Sequence, residues 1–139
     1  MKYLLVYILP LLIFANNPAA AEHYKIIANN DFPIDQLSKS NLRKFFLLKN
    51  QVLKGTQLLI TNLKRDEPIR AHFSNDVLKK SSGKIERYYL KLALSGRGAV
   101  LKPFATEAEM IEKIKSSKGA IGYIAAETQV TGVKVLTIN

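Results

Sequence analysis

Hydrophobic and polar positions alternate along this chain with two different periods, which predict strands and helices in turn. Short apolar runs bounded by turn-forming residues predict strands at residues 24–28, 57–61, 120–124 and 133–138. Apolar residues that recur every three or four positions predict four helices between these strands. Because the two kinds of element are interleaved, we expect an α/β or α+β sandwich, with a small mixed sheet flanked by helices.

Residues that favour helix N-termini indicate where the first two helices begin. Ser38 is expected to cap a helix that runs to about residue 48. Asp66 is expected to cap the next helix, with Pro68 just inside it. The apolar positions that these helices should bury are Leu42, Phe45, Phe46, Ile69, Phe73 and Val77.

The third and fourth predicted helices lie in the second half of the chain. The third follows residues 81–83 and covers about residues 84–94, with Ile85, one of Tyr88 and Tyr89, and Leu92 facing inward. For the fourth, Thr106 and Glu109 have the spacing of a capping box. Along this helix, Ala108, Ile111 and either Ile114 or Lys115 recur at helical spacing. Gly119 is placed to end the helix.

The first 21 residues have the pattern of a secretory signal peptide. Lys2 precedes an apolar run over residues 3–14, and residues 19–21 are three alanines suited to cleavage. The apolar run is too short to span a membrane, and Pro10 interrupts it. We predict cleavage after Ala21, which leaves residues 22–139 as one domain that does not span the membrane.

Composition and charge indicate the cellular location of the domain and the classes of partner that it could bind. The chain has no cysteine, which excludes disulfides and a cysteine-linked lipid, and we expect a periplasmic location in a Gram-negative bacterium. Its formal net charge of +10 attracts anions, acidic partners or a polyanionic surface. A surface that is charged only for solubility is the other interpretation. We expect no nucleic-acid partner, because an exported protein rarely meets one and no recognition motif is present.

Residues suited to catalysis are sparse. His23 lies beside the predicted cleavage site, and His72 lies next to Phe73 on a predicted helix. The sequence contains no cysteine nucleophile, no Gly-x-Ser-x-Gly motif and no histidine–carboxylate spacing suited to a metal. The sequence therefore predicts a non-enzymatic protein without metal or cofactor. Tyr88 and Tyr89 could form an aromatic wall for a ligand, although at most one of them points inward.

A series of short motifs follows the predicted elements in order. These are 26–29 (Ile-Ile-Ala-Asn), Leu37-Ser38, Phe46 to Lys49, Lys54-Gly55, Arg70 to Phe73, Val77-Leu78, Tyr88-Tyr89, Ser95 to Gly98 and Gly119 to Tyr123. In this order the chain resembles the phosphate-type periplasmic substrate-binding family of ABC importers, over nearly all of residues 22–139. The resemblance implies a fold similar to one lobe of a type II periplasmic binding protein.

The chain departs from this family in two respects. Full-length members are two-lobed clamshells that close over the solute, whereas a single lobe could bind only in a shallow site or across a dimer. The family also places a Ser-Gly-Thr-type turn, which holds phosphate, at the head of the helix before Phe73. Here that position reads Asp66-Glu67-Pro68-Ile69, so the resemblance does not carry the phosphate cradle over.

Two groups of residues remain as candidates for binding an anion. Lys64, Arg65 and Arg70 lie near the head of the second helix. The other candidate is the stretch from Ser95 to Lys102, which begins with the loop Ser95-Gly96-Arg97-Gly98. The glycines of this loop free backbone amides for a ligand, and its arginine offers a bidentate fork. The competing interpretation of this loop is a helix C-terminus with Gly96 in the left-handed conformation.

Two functions follow from these observations. The first is a binding protein that captures phosphate or another small anion for an ABC importer. The alternative is an interaction module that has lost solute capture and docks on another envelope protein or a polyanion. The head of the helix at Asp66 should discriminate between them. Free amides that face Arg97 across a concave site favour solute binding, whereas carboxylates of Asp66 and Glu67 in that space favour the interaction module.

Overall fold

Strand β1 (Tyr24–Ala28) is the central strand of a five-stranded mixed sheet in this computed structural model, which describes residues 23–97 and 102–139. The predicted signal peptide lies outside the described residues. The other strands are β2 (Gln36–Leu37), β3 (Val52–Leu53), β4 (Thr56–Gln57), β5 (Leu59–Ile60), β6 (Ala120–Ala125) and β7 (Lys134–Ile138). The helices are α1 (Lys39–Phe46), α2 (Pro68–Phe73), α3 (Ser82–Leu94) and α4 (Glu107–Ser116), and a π-helical turn (Ser74–Leu78) follows α2.

The order of strands in the sheet is β2-β7-β1-β6-β5. Strand β1 is antiparallel to both β6 and β7, whereas β5 runs parallel to β6 and β2 parallel to β7. The predicted mixed sheet with helices packed on it is therefore confirmed. No helix in the described part of the chain is both long enough and apolar enough to cross a membrane.

The single strand predicted at residues 57–61 is two strands with different partners. Thr56 and Gln57 pair with β3 in a two-stranded hairpin, while Leu59 and Ile60 pair with β6 in the main sheet. The backbone turns from one partner to the other at Leu58, whose N–H donates to the carbonyl of Gln51 over 2.8 Å. The apolar pattern could not show this break, because the side chains on both sides of it remain in one run.

The centre of the core is an aromatic cluster between the sheet and α2. The rings of Phe73 and Tyr123 stack with their centroids 4.1 Å apart, and Phe46 packs edge-on against Phe73 at 4.6 Å. Gly122 lets α4 approach β6 closely, since a Cβ atom there would lie 2.3 Å from Oγ1 of Thr61 and 2.9 Å from Ile114. The sheet and helices thus share one core.

The first helix follows the prediction, and the second corrects it. Ser38 caps α1 by accepting from the N–H of Asn41, and α1 buries Leu42, Phe45 and Phe46 as expected. The N-cap of α2 is Glu67 rather than Asp66, because helical geometry begins directly at Pro68. Beyond Phe73 the chain continues as the π-helical turn, which keeps Val77 and Leu78 buried, while Ile69 is only half-buried.

The third helix begins two residues earlier than predicted, because the hydroxyl of Ser81 accepts from the N–H of Lys84 and caps it. Of the two tyrosines, Tyr89 is buried, and Tyr88 and Leu92 are half-buried. In α4, Thr106 accepts from the N–H of Glu109, but Glu109 accepts from Ala105 instead of Thr106, so only half of the capping box forms. Helix α4 buries Met110 and Ile114, leaves Ile111 half-buried and exposes Ala108.

Candidate functional site

A cavity of about 530 Å³ opens between α3 and the segment that leads from β5 into α2. We call it the basic cleft. Its polar lining consists of Asn62, Arg65, Arg70, Glu86, Arg87 and Lys102. The rest of its lining consists of Gly83, Tyr89, Leu90, Ala93 and Pro103. Four cationic side chains face one carboxylate here, so the cleft is positively charged.

Arg70 lies at the floor of the basic cleft, with only 1% of its surface exposed. Its Nη1 donates to the carbonyl of Leu63 over 2.9 Å and to Oε1 of Glu86 over 3.3 Å. Its Nε is buried and has no hydrogen-bond partner within the described residues. Because buried donors are nearly always paired in folded proteins, this unpaired Nε is an exception, and its own surface is closed to water.

Glu86 reaches from α3 to both arginines that come from the other wall. Besides its bond to Arg70, it places Oε2 3.8 Å from Nη1 of Arg65. Glu86 is therefore the internal counter-ion of the cleft. An incoming anion would compete with this carboxylate for Arg70.

Gly83 makes room for Arg65 at the N-terminal turn of α3. A Cβ atom at residue 83 would lie 2.9 Å from Nη2 of Arg65. The guanidinium of Arg65 is largely exposed, and it rests against the helix backbone where any other residue would carry a side chain. A side chain at residue 83 would therefore displace this flexible guanidinium from its present position.

Two buried polar side chains complete the floor. Oδ1 of Asn62 accepts from the N–H of Leu63 over 3.0 Å and from the hydroxyl of Tyr123, which fixes the orientation of this amide group. The hydroxyl of Tyr89 donates to the carbonyl of Phe46, and burial raises the pKa of Tyr89. Tyr89 therefore stays neutral near neutral pH and does not repel an anion.

The structure brings together only part of the first predicted group. Arg65 and Arg70 both line the basic cleft. Lys64 lies in a neighbouring depression of about 440 Å³, which it shares with Lys102, Phe104 and Glu109.

The predicted loop after α3 ends the helix. Gly96 has a φ of +69°, its N–H donates to the carbonyl of Ala93, and the N–H of Arg97 donates to that of Leu92. This pattern is a Schellman motif, so both amides are already engaged. Ser95 and Arg97 are exposed and do not line the basic cleft. Gly98 lies outside the described residues.

The head of α2 opens away from the basic cleft. Glu67, Pro68 and Ile69 line a separate depression of about 860 Å³, where the rings of His23 and His72 stack 3.8 Å apart. Asp66 is exposed and lines neither cavity. Neither arrangement expected at Asp66 is found. The head of α2 does not face Arg97 across the basic cleft, and the carboxylates of Asp66 and Glu67 do not line that cleft. Among the described residues, no three histidine and carboxylate side chains are grouped to hold a metal ion.

Sequence reasoning missed Asn62, Glu86, Arg87 and Leu90, and it included Lys102 only as the end of the stretch that begins at Ser95. A periodic pattern was present for part of this set, because Glu86 and Leu90 are four residues apart, Arg87 and Leu90 are three apart, and these positions are neighbours on the surface of α3. No local pattern could have placed that face opposite Arg70.

Comparisons with known proteins identify the fold but not the activity. No protein-family model matches the chain, and no curated protein matches its sequence. Among solved structures, PstS from Borrelia burgdorferi is similar with a TM-score of 0.63 and 15% identity, over 84% of this chain and 47% of that one. An ABC-type phosphate transport receptor from Vibrio cholerae is similar with a TM-score of 0.57 and 13% identity, over 84% of this chain and 46% of that one.

The chain spans less than half the length of these two proteins. Its mixed α/β fold resembles one lobe of phosphate-binding periplasmic proteins, as the sequence motifs predict. At these identities the likeness concerns the fold, and the residues of the basic cleft have to be judged by their own geometry.

Proposed function

We propose that this chain is a non-catalytic binding protein and that its basic cleft captures phosphate or another small anion. The observation that supports this most strongly is Arg70, a buried guanidinium that lines a positively charged cavity and whose Nε has no partner among the described residues. Guanidinium groups bind phosphate and carboxylate through paired N–H donors, and the resulting bonds are stronger than neutral ones. Arg65 and Arg87 at the mouth would complete the coordination.

The other predicted site residues have a secondary role in this proposal. Lys64 and the Ser95-Gly96-Arg97-Gly98 loop would add positive potential around the cleft, which raises the rate of anion encounter. Delivery of the anion to an ABC importer is part of the proposal. The likeness of the fold to phosphate transport proteins supports it.

A periplasmic location completes the proposal. Residues 1–21 would be removed as a signal peptide, which leaves the domain at residues 22–139. Sequencing the N-terminus of the exported protein tests this, and a first residue other than Glu22 or its immediate neighbours would contradict the assigned cleavage site.

Calorimetric titration with inorganic phosphate and sulfate at constant ionic strength tests the proposed site. Replacing Arg65→Gln and Arg87→Gln together should weaken binding at least tenfold, because the loss of even one charge-assisted hydrogen bond costs about 1.5–3 kcal/mol. The matched control replaces Lys49→Gln and Lys118→Gln, which are exposed and outside the cleft and remove the same charge. An equal loss in the control would show that only net charge matters and would contradict the proposed site.

One observation favours the interaction module as a second candidate. Leu90 and Leu94 are 59% and 81% exposed on the face of α3 that also carries Arg87 and Lys91. Exposed apolar residues rimmed by charge are typical of docking surfaces. In this case the chain should bind poly-L-glutamate, and Leu94→Ser should weaken that binding. Unchanged binding by the variant would remove the case for docking on this face.

A further inference from the structure

The basic cleft is larger than a small inorganic anion requires. Its volume of about 530 Å³ lies within the range of roughly 300–1,000 Å³ that is usual for pockets that bind drug-sized organic molecules. A single phosphate group that contacts Arg70 would leave most of this space to water. The volume therefore points to a ligand with more than a charged group.

The cleft also separates its charged floor from an apolar wall. Arg70, Asn62 and Tyr89 are buried and form the floor. Leu90 and Ala93 rise from α3 on the exposed side, and Pro103 is exposed as well. A mostly apolar surface with a few convergent polar groups is the usual composition of an organic ligand site.

Leu90 connects this wall to the outside of α3. It lines the basic cleft and also a shallower depression of about 380 Å³ that contains Lys91 and Leu94. In the free protein Leu90 is 59% exposed. A ligand whose apolar part covered Leu90 would remove this surface from water, which is favourable in proportion to the area covered.

We infer that the ligand of the basic cleft is an organic anion, in which one phosphate or carboxylate group is joined to an apolar body. This inference rests on the proposed function, since it names the class of anion that the same site takes. The charged group binds Arg70 at the floor, with Arg65 and Arg87 at its sides. The apolar body lies along Leu90, Ala93 and Pro103.

Titration with three anions distinguishes this inference from the proposed function on which it rests. The anions are phenyl phosphate, benzoate and inorganic phosphate. Titrated into the full chain at constant ionic strength, phenyl phosphate should bind at least tenfold more tightly than inorganic phosphate. This factor is modest, since each buried methylene contributes about a fourfold gain. Benzoate tests whether a carboxylate can replace the phosphate group, and the inference is supported when either organic anion binds more tightly than inorganic phosphate.

Leu90→Ser tests the position of the apolar body. Because Leu90 is exposed, its replacement should leave the fold intact. It should reduce phenyl phosphate affinity several-fold more than it reduces inorganic phosphate affinity. Leu94→Ser is the matched control, since Leu94 is still more exposed and does not line the cleft, and it should change neither affinity.

The possible failures are distinguishable. Equal affinity for phenyl phosphate and inorganic phosphate, with no effect of Leu90→Ser, would overturn the inference and leave the proposed function intact. Absence of binding by all three anions would overturn both. Equal binding of the uncharged analogue phenol and phenyl phosphate would show an apolar pocket without anion recognition, and would also overturn both.

Discussion

Arg70 and Glu86 meet at the floor of the basic cleft, where Nη1 of the arginine donates to Oε1 of the glutamate over 3.3 Å. The carboxylate stabilises the buried guanidinium, but it also occupies part of the surface that an anion needs. The charge on Glu86 therefore stabilises the fold but opposes the proposed binding of an anion.

Glu86→Gln separates the effect on stability from the effect on phosphate affinity. We expect phosphate to bind several-fold more tightly, because a negative charge leaves the site. The free energy of unfolding should fall by about 1–2 kcal/mol, since Arg70 loses a charged partner; the contact with exposed Arg65 contributes little. Calorimetry and urea denaturation measure the two effects. Glu112→Gln, which removes an exposed carboxylate paired with Lys115, is the control. Weaker phosphate binding by Glu86→Gln would contradict this role.

Asp76 links β1, α1 and the π-helical turn, and it should make stability depend on pH. The hydroxyl of Tyr24 donates to its carboxylate, Lys39 lies 3.1 Å away, and the pKa of Asp76 is lowered first by the Tyr24 bond and then by Lys39. A lowered pKa in the folded state means that this contribution is complete above the ordinary value of 3.8 and is lost as the pH falls through the lowered pKa.

Asp76→Asn should therefore remove part of the acid sensitivity. Urea denaturation from about pH 7 to about pH 2.5 spans the titration range of carboxylates. The variant should be less stable than the wild-type protein at neutral pH, and the difference should shrink below the ordinary Asp pKa. Asp66→Asn, at an exposed carboxylate, should retain the wild-type profile. Parallel profiles for wild type and Asp76→Asn would contradict the assigned interaction.

At the scale of elements, two glycines occupy different surroundings and should respond differently to alanine. Gly122→Ala places a methyl group between Thr61 and α4, and overpacking of this kind costs about 1–3 kcal/mol. Gly83→Ala places one in the first turn of α3, where alanine favours the helix by up to about 1 kcal/mol, but the methyl displaces Arg65. Thermal unfolding should thus show that Gly122→Ala is less stable than the wild-type protein and that Gly83→Ala is as stable. Phosphate titration should show weaker binding by Gly83→Ala. Unchanged affinity in Gly83→Ala would show that Arg65 adjusts to the methyl group and that Gly83 does not determine its position.

The sequence predicted the long elements well and the short ones poorly. Strand β6 and helix α1 have apolar runs and caps within their own residues, so local patterns were sufficient. Strand β2 is only two residues long and exists because Leu37 pairs with Ile138 at the far end of the chain. The π-helical turn after Phe73 was also missed, since it keeps the same buried positions as an ordinary helix.

The candidate site shows the same division. Arg65 and Arg70 were recognised from charge near a helix start. Glu86 and Lys102 belong to the site only because α3 and the segment before Phe104 pack beside residues 62–70. Such proximity follows from the tertiary fold and has no local signature in the sequence.

At the scale of the whole molecule, the chain covers less than half of its structural neighbours and yet has a cleft within its single lobe. The cleft lies between elements of one core, so the proposed anion binding does not require a second lobe to close over it. We propose that Arg70 is the residue that receives the anion.

The most direct test of this claim observes the arginine Nε–Hε groups by ¹H–¹⁵N NMR during titration with phosphate at constant ionic strength. Arg70→Lys assigns the Arg70 signal by its disappearance, and Arg43, whose Nε already donates to Val77 over 2.7 Å, is the internal control. We predict a saturable shift of the Arg70 signal, because an anion in the cleft changes the electrostatic surroundings of its guanidinium, while the Arg43 signal stays in place. A stationary Arg70 signal at phosphate concentrations that saturate the protein would contradict the claim.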